Sequence, residues 1–348
     1  MTVSTSTGEL RSIAKAMVAP GKGILAADES TSTIKKRFDA IKVESTEENR
    51  RAYRELLFTT KGAEKHVSGV ILYDETIRQK AADGTPFPKL LTSKGVLPGI
   101  KVDTGAKDLP GFPGEKITEG LDGLGERLSE YHGLGARFAK WRAVIDIDTQ
   151  KGVPTGYCLE ANADALARYA ALCQAHGIVP IVEPEVLMDG AHTLETCYEV
   201  TCRTLQIVFA QLYRARIELE GMILKPNMVI AGKKCAKQAT CAEIAAATVR
   251  CFRQHVPAAV PGIVFLSGGQ SEPEASANLS AMNALGKFPW ELSFSYGRAL
   301  QQSTLEAWRG KQENLAAAQR TYLHRCQLNG AARSGNYKAA MEKELVTA

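Results

Sequence analysis

The stretch Gly-Met-Ile-Leu-Lys-Pro-Asn-Met-Val-Ile (221–230) sets a lysine in the middle of an apolar run. A short run of this kind is a strand buried on both faces, and an ammonium buried there without a partner is costly unless its pKa falls. On that stretch alone two readings stand. Lys225 either closes the strand and reaches into water ahead of Pro226, or it works inside a protected cavity. The same pattern recurs in Phe-Ala-Lys-Trp-Arg (138–142) and Ile-Val-Glu-Pro-Glu (181–185), where charges stand at i and i+2. Strand alternation sends Lys140 and Arg142 to one face, and likewise Glu183 and Glu185. If Lys140 and Lys225 share a cavity, burial and like-charge repulsion both favour a neutral amine. A neutral amine adds to a ketone and gives a Schiff base. Glu183 is then the carboxyl that moves protons as the carbinolamine loses water. A protonated Schiff base withdraws electrons as a metal would, so this reading calls for no cofactor, the imine on Lys225 replacing a metal. The six histidines show no HxH or HExxH spacing and the eight cysteines no CxxC pair, so no metal-ligand motif is present.

A second chemistry is written in Leu-Ser-Gly-Gly-Gln-Ser (266–271) and Ser-Tyr-Gly-Arg (295–298). Gly268 and Gly269 after Ser267 let backbone N–H groups approach an anion closely, and Ser295, Gly297 and Arg298 add a hydroxyl, a second glycine and a guanidinium. Together they read as a phosphate site.

Positioning these groups requires strands whose ends meet. Eight short apolar segments are bounded by turn residues: 23–29, 69–75, 99–103, 138–145, 179–185, 221–228, 262–269 and 291–298. Helix-like stretches lie between most of them, clearest at 47–66, 121–135, 161–176, 194–220 and 242–254. Ser45 and Thr46 are cap residues for the first of these. Strand alternating with helix eight times predicts a single-domain α/β protein, a closed (β/α)8 TIM barrel over 1–332. No GxGxxG opens a helix after a strand, which argues against a doubly wound sheet. A helical extension is expected at 312–327 and a flexible tail over 333–348. Barrel chemistry sits at the C-terminal strand ends. Reading those ends collects Asp28, Lys101 with Asp103, Lys140 with Arg142, Glu183 with Glu185, Lys225, Ser267 and Arg298, whereas Asp74 and Glu75 read as solvated caps.

Composition narrows the partners. The 348 residues are 45% hydrophobic and 23% charged, with a formal charge of +5 and no basic block or acidic tail. That suits a small anionic substrate better than nucleic acid. The N-terminus predicts no secretory signal, no apolar stretch approaches membrane-span length, and the cysteines read as free cytosolic thiols.

Seven motifs in order resemble class I fructose-bisphosphate aldolases: GKGILAADES (21–30), GIKVD (99–103), FAKWR (138–142), IVEPE (181–185), ILKPNM (223–228), FLSGGQSE (265–272) and FSYGRAL (294–300). The resemblance runs from about Leu10 to Ala332. It implies a TIM barrel with additional N- and C-terminal helical segments and reversible cleavage of fructose 1,6-bisphosphate, in glycolysis, gluconeogenesis or carbon fixation. It also implies that Lys225 forms the Schiff base, that Glu183 is the acid/base, and that Lys140 assists attack on the ketone. Asp28 orients Lys225 and handles the C4 hydroxyl proton, with Glu185 and Lys101 in the same network. Ser267, Gly268 and Arg298 match the 1-phosphate site, and Lys36, Arg37 and Arg142 match basic residues near the 6-phosphate. In the loop Ser30-Thr31-Ser32-Thr33, Thr33 replaces the family's usual serine near that phosphate. The tail departs further, since many members end in tyrosine and this chain ends Leu-Val-Thr-Ala. A cytoplasmic homotetramer acting on phosphorylated sugars, without nucleic acid or membrane, is the implied setting. The rival readings are a transaldolase-type Schiff-base lyase, which does not need two phosphate sites, a sugar-phosphate isomerase, which needs no imine, and a non-catalytic scaffold.

Overall fold

A computed structural model describes residues 7–343. The apolar segments form strands β1 (Gly23–Ala27), β2 (Val67–Leu72), β3 (Leu97–Lys101), β6 (Phe138–Ile145), β7 (Val179–Val186), β8 (Ile223–Leu224), β9 (Gly262–Phe265) and β10 (Glu291–Tyr296). These close into a barrel in the order β1-β2-β3-β6-β7-β8-β9-β10, with every neighbouring pair parallel. The strands are continuous apolar runs because helices cover them outside and side chains fill the barrel inside.

Two further strands, β4 (Gly105–Asp108) and β5 (Lys116–Glu119), make an antiparallel hairpin between β3 and β6. The sequence reading passed over this hairpin because β4 is largely exposed and polar. It also passed over the helices Thr31–Ala40, Phe87–Ser93, Glu272–Ala284 and Arg298–Trp308. Glu272–Ala284 nevertheless carries a complete capping box, Ser271 with Glu274. Where helices were expected they occur, three of them shorter (Glu47–Thr59, Leu124–Leu134 and Leu194–Arg214) and three longer (Gly156–Ala175, Cys241–His255 and Leu315–Arg333).

Inside the barrel, residues of one strand face alternate in depth between apolar and charged. Phe138, Val179, Ile181, Ile223 and Val264 form the lower interior, and the helix Thr7–Met17 closes the floor with Leu10, Ala14 and Met17. Two residues further along the same faces stand Lys140, Glu183 and Lys225. Phe138 occupies the space in front of two glycines: a Cβ on Gly99 would lie 2.2 Å from its ring and one on Gly69 2.9 Å.

Past Arg333 the expectation of a mobile tail is revised for the described part. The Tyr337 amide donates to Ser280 (3.2 Å), its hydroxyl donates to Glu342 (2.8 Å), and Glu342 pairs with the buried Arg325 (2.7 Å). These contacts hold 334–343 against the helices Glu272–Ala284 and Leu315–Arg333, and composition could not report them. Residues 344–348, Glu-Leu-Val-Thr-Ala, lie outside the described residues.

Gly99→Ala is expected to destabilise the fold by about 1–3 kcal/mol through overpacking against Phe138. Urea unfolding reads the change, and adding Phe138→Leu should recover part of it. An unchanged midpoint in Gly99→Ala would refute the tight floor.

Candidate active site

β6, β7 and β8 set the centre of the site. The register aligns Lys140 with Ile181 and Arg142 with Glu183, so consecutive inward positions rise in step across the two strands. β8 is regular only over Ile223–Leu224, against the expected 221–228, because Pro226 has no amide to donate. The ladder still passes through the lysine, since the Lys225 amide donates to Val182 O (2.8 Å) and Pro226 O accepts from Leu266 N (3.2 Å). Asn227 then pins the chain, accepting from Val186 N (3.2 Å) and donating to Thr201 (3.0 Å). Lys225 is therefore held on both sides.

Lys225, Lys140 and Glu183 are only 4%, 4% and 3% exposed. The carboxylate of Glu183 lies between the lysines, with Oε1 at 3.1 Å from Lys225 Nζ and Oε2 at 3.5 Å from Lys140 Nζ. Lys140 also meets Asp28 Oδ2 at 2.8 Å and Asp103 Oδ2 at 4.0 Å. Burial works against its charge, but Asp28, Glu183 and Asp103 outweigh burial and hold its pKa above the ordinary lysine range. Of the two lysines expected to yield a neutral amine, Lys140 is the one that stays an ammonium, because three carboxylates surround it. Asp28 shows the reciprocal effect. Burial raises its pKa, yet Lys140 and Lys225 overcome this and hold it well below the usual carboxylate range.

Two basic arms extend from this centre along a cleft of roughly 440 Å³. In one, Ser30 caps the helix Thr31–Ala40, its hydroxyl accepting from Thr33 N (3.4 Å), and the helix presents Lys36 and Arg37 to the cleft. Arg142 reaches the same cleft, paired with Glu185. Burial lowers the pKa of Arg142, but Glu185 outweighs that and raises it. In the other arm, Ser267, Gly268, Ser295, Gly297 and Arg298 line the opposite wall. Gly268 and Gly269 have left-handed backbones, φ 59° and 91°. The helix Arg298–Trp308 starts there, with no side chain capping its first turn. The Ser295 hydroxyl is buried with no protein partner among the described residues. Gly269 does not line the cleft; its backbone lies beside Lys233 and Arg298. Lys101 stands at the margin, bonded to Asp103 at 2.7 Å. Asp74 pairs with Arg78 and Glu75 with Arg50, away from the lysines, in keeping with the cap reading.

The sequence reading missed the support behind Arg37. Glu29 is buried and takes Arg37 on Oε1 (2.6 Å) and Arg54 on Oε2 (2.6 Å), with Gln301 donating to Oε1 at 3.2 Å. Glu29 directly follows Asp28 in the ILAADES motif, which was the available signal. Nothing local marks Arg54 or Gln301, which come from helices distant in the chain.

Comparison with known proteins shows the family. The family model described as "Fructose-bisphosphate aldolase class-I" matches residues 9–348. A probable class 1 fructose-bisphosphate aldolase of Xanthomonas campestris pv. campestris is 58% identical over 334 residues, covering 96% of this chain and 99% of the relative. Fructose-bisphosphate aldolase 1 of Toxoplasma gondii is 56% identical, covering 94% and 91%. Among solved structures, fructose-bisphosphate aldolase from Plasmodium falciparum, in complex with TRAP and a small-molecule inhibitor, superposes with a TM-score of 0.94 at 54% identity, covering 95% of this chain and 96% of that one. The chain belongs to the class I fructose-bisphosphate aldolase family, carbon–carbon lyases that work through a Schiff base.

Proposed function

We propose that Lys225 forms the imine in this chain and that Glu183, Lys140 and Asp28 carry its proton transfers. The reaction is the family's reversible cleavage of fructose 1,6-bisphosphate to dihydroxyacetone phosphate and glyceraldehyde 3-phosphate. The single observation that supports the assignment is the Glu183 carboxylate lying between two buried lysines, one of them fixed as an ammonium by its neighbours.

Attack on the C2 ketone requires Lys225 to give up a proton, and Glu183 at 3.1 Å is the acceptor within reach. The cationic Lys140 beside it stabilises the oxyanion that forms. Glu183 then returns the proton to the carbinolamine hydroxyl, water leaves, and the iminium on Lys225 results. Cleavage of C3–C4 sends the bonding pair into the iminium, giving an enamine, while the C4 hydroxyl proton passes to Asp28. Asp28 is suited to this because it is ionised at rest. The imine supplies the electron sink, so no metal is called for; among the described residues no cluster of metal-ligating side chains occurs.

The two arms suit a substrate with a phosphate at each end. Ser267, Gly268 and Arg298, with Ser295 and Gly297 around them, take the 1-phosphate. Lys36, Arg37 and Arg142, with Ser30 and Thr33, take the 6-phosphate, and Glu185 and Lys101 shape the network between. From the family we also infer a homotetramer in the cytoplasm. No helix among the described residues is long and apolar enough to cross a membrane.

Borohydride with dihydroxyacetone phosphate should add a stable mass to the peptide carrying Lys225, and Lys225→Ala should lower kcat at least about a thousandfold. Label on Lys140 instead would overturn the assignment. Arg37→Ala should cost about tenfold or more on fructose 1,6-bisphosphate, because a charge-assisted phosphate contact is worth roughly 1.5–3 kcal/mol. Fructose 1-phosphate, lacking that group, should be nearly unaffected, and equal losses on both would refute the placement. Light scattering should give a mass about four times the 37.6 kDa chain; a monomer mass would sink the tetramer.

A further inference from the structure

Outside the active site, two thiols meet. Cys202 lies on the helix Leu194–Arg214 and Cys251 on the helix Cys241–His255. Their sulfurs are 3.2 Å apart, the one thiol–thiol contact among the described residues. The helices are also joined close by. Tyr198, one turn before Cys202, donates its hydroxyl to Gln254 (2.7 Å), and Arg250 stacks over its ring at 5.2 Å. The facing sulfurs therefore sit on two helices fixed against each other. Two small side chains filling a helix interface would satisfy packing alone, but packing does not require both Cβ–Sγ bonds to converge on one point.

We propose that Cys202 and Cys251 are a modification site, a thiol pair that closes into a reversible intramolecular disulfide when the protein meets a peroxide. Closing the bond needs the sulfurs to approach by about 1.2 Å, to the usual 2.05 Å, a movement within reach of side-chain rotation. Cys202 is 9% exposed and Cys251 0%, so the oxidant reaches Cys202 first. Burial also pushes the Cys251 thiol above the ordinary range, so it is not the group that first meets the peroxide. The Cys202 thiolate attacks one peroxide oxygen and breaks the O–O bond, becoming a sulfenic acid, and the hydroxide released takes up the thiol's proton as water. Cys251 then attacks that sulfur, forming the S–S bond and releasing a second water. Altogether two thiols and one peroxide give one disulfide and two waters, and a dithiol reductant reverses the change.

The cross-link joins the helices on either side of β8 and encloses the 49-position segment that carries Lys225. A loop of that length loses substantial freedom in the unfolded chain when closed. Neither thiol lines the active-site cleft, so the effect falls on stability.

The test uses the whole protein treated with hydrogen peroxide, alkylated, and digested without reduction. The expected result is a linked peptide pair containing Cys202 and Cys251, two mass units lighter than the sum of its thiol forms. A rise in Tm of roughly 3–6 °C should accompany it, be reversed by dithiothreitol and be absent in Cys202→Ser. Recovery of both cysteines as alkylated thiols after peroxide has oxidised other cysteines would overturn the proposal. So would Cys202 found as a sulfinic acid with Cys251 free. The peptide map on the unaltered protein decides the matter even where a variant folds poorly, and it is independent of catalytic activity.

Discussion

The site depends on one carboxylate shared by two buried lysines. Placing Glu183 between Lys140 and Lys225 puts three charged groups in a region nearly closed to water, where each ion alone would cost several kcal/mol. Removing one partner from such an arrangement leaves an uncompensated charge, so the three side chains hold one another in place. Asp28 and Asp103 extend the balance on the Lys140 side. The consequence is a division of labour between chemically identical lysines: Lys140 is fixed as a cation, and Lys225 is left with a single carboxylate as its proton partner. One residue type is thus held in two electrostatic settings, separated by the number of acidic neighbours.

The barrel makes that arrangement affordable by layering. Inward positions on β6 run from Phe138 to Lys140 to Arg142, and on β7 from Ile181 to Glu183 to Glu185. The lower layer is apolar and sealed by the N-terminal helix, while the upper layers are charged and open into the cleft. Close packing around Phe138 fixes strand spacing at the floor, and parallel register transmits that spacing to the charges two residues above. Asn227 and the bonds of Lys225 and Pro226 serve the same end on β8, where regular pairing stops early.

The basic arms are held by different means. Around Arg298 the support is backbone: left-handed glycines and the start of a helix. Around Arg37 it is a buried chain of side chains, in which Glu29 is gripped by Arg54 and Gln301 from separate helices. An arginine held in this way keeps its guanidinium aimed at the cleft, with less rotamer freedom to lose when an anion binds.

Much of this was legible in the sequence, and the residues say why. Periodicity of two makes Lys140 with Arg142, and Glu183 with Glu185, same-face pairs in any strand, and apolar runs closing on charges mark strand ends in any parallel barrel. The eight barrel strands and the charged strand ends that meet in the cleft followed from local pattern, and the family from motif order and resemblance. The hairpin β4–β5 did not, because its exposed polar residues carry no burial signal, nor did the docked segment around Tyr337, whose glycine and asparagine resemble those of a loose linker. Which lysine keeps its charge was not legible for a deeper reason. Its charge depends on how many carboxylates surround it, and Asp28, Asp103 and Glu183 arrive from three separate strand ends. Arg54 behind Glu29 and Cys202 against Cys251 belong to the same class. Residue identity and spacing determine what a side chain is and which face it takes; its partners across the chain, and hence its charge and reactivity, exist only once the tertiary structure has brought distant segments within a few ångströms.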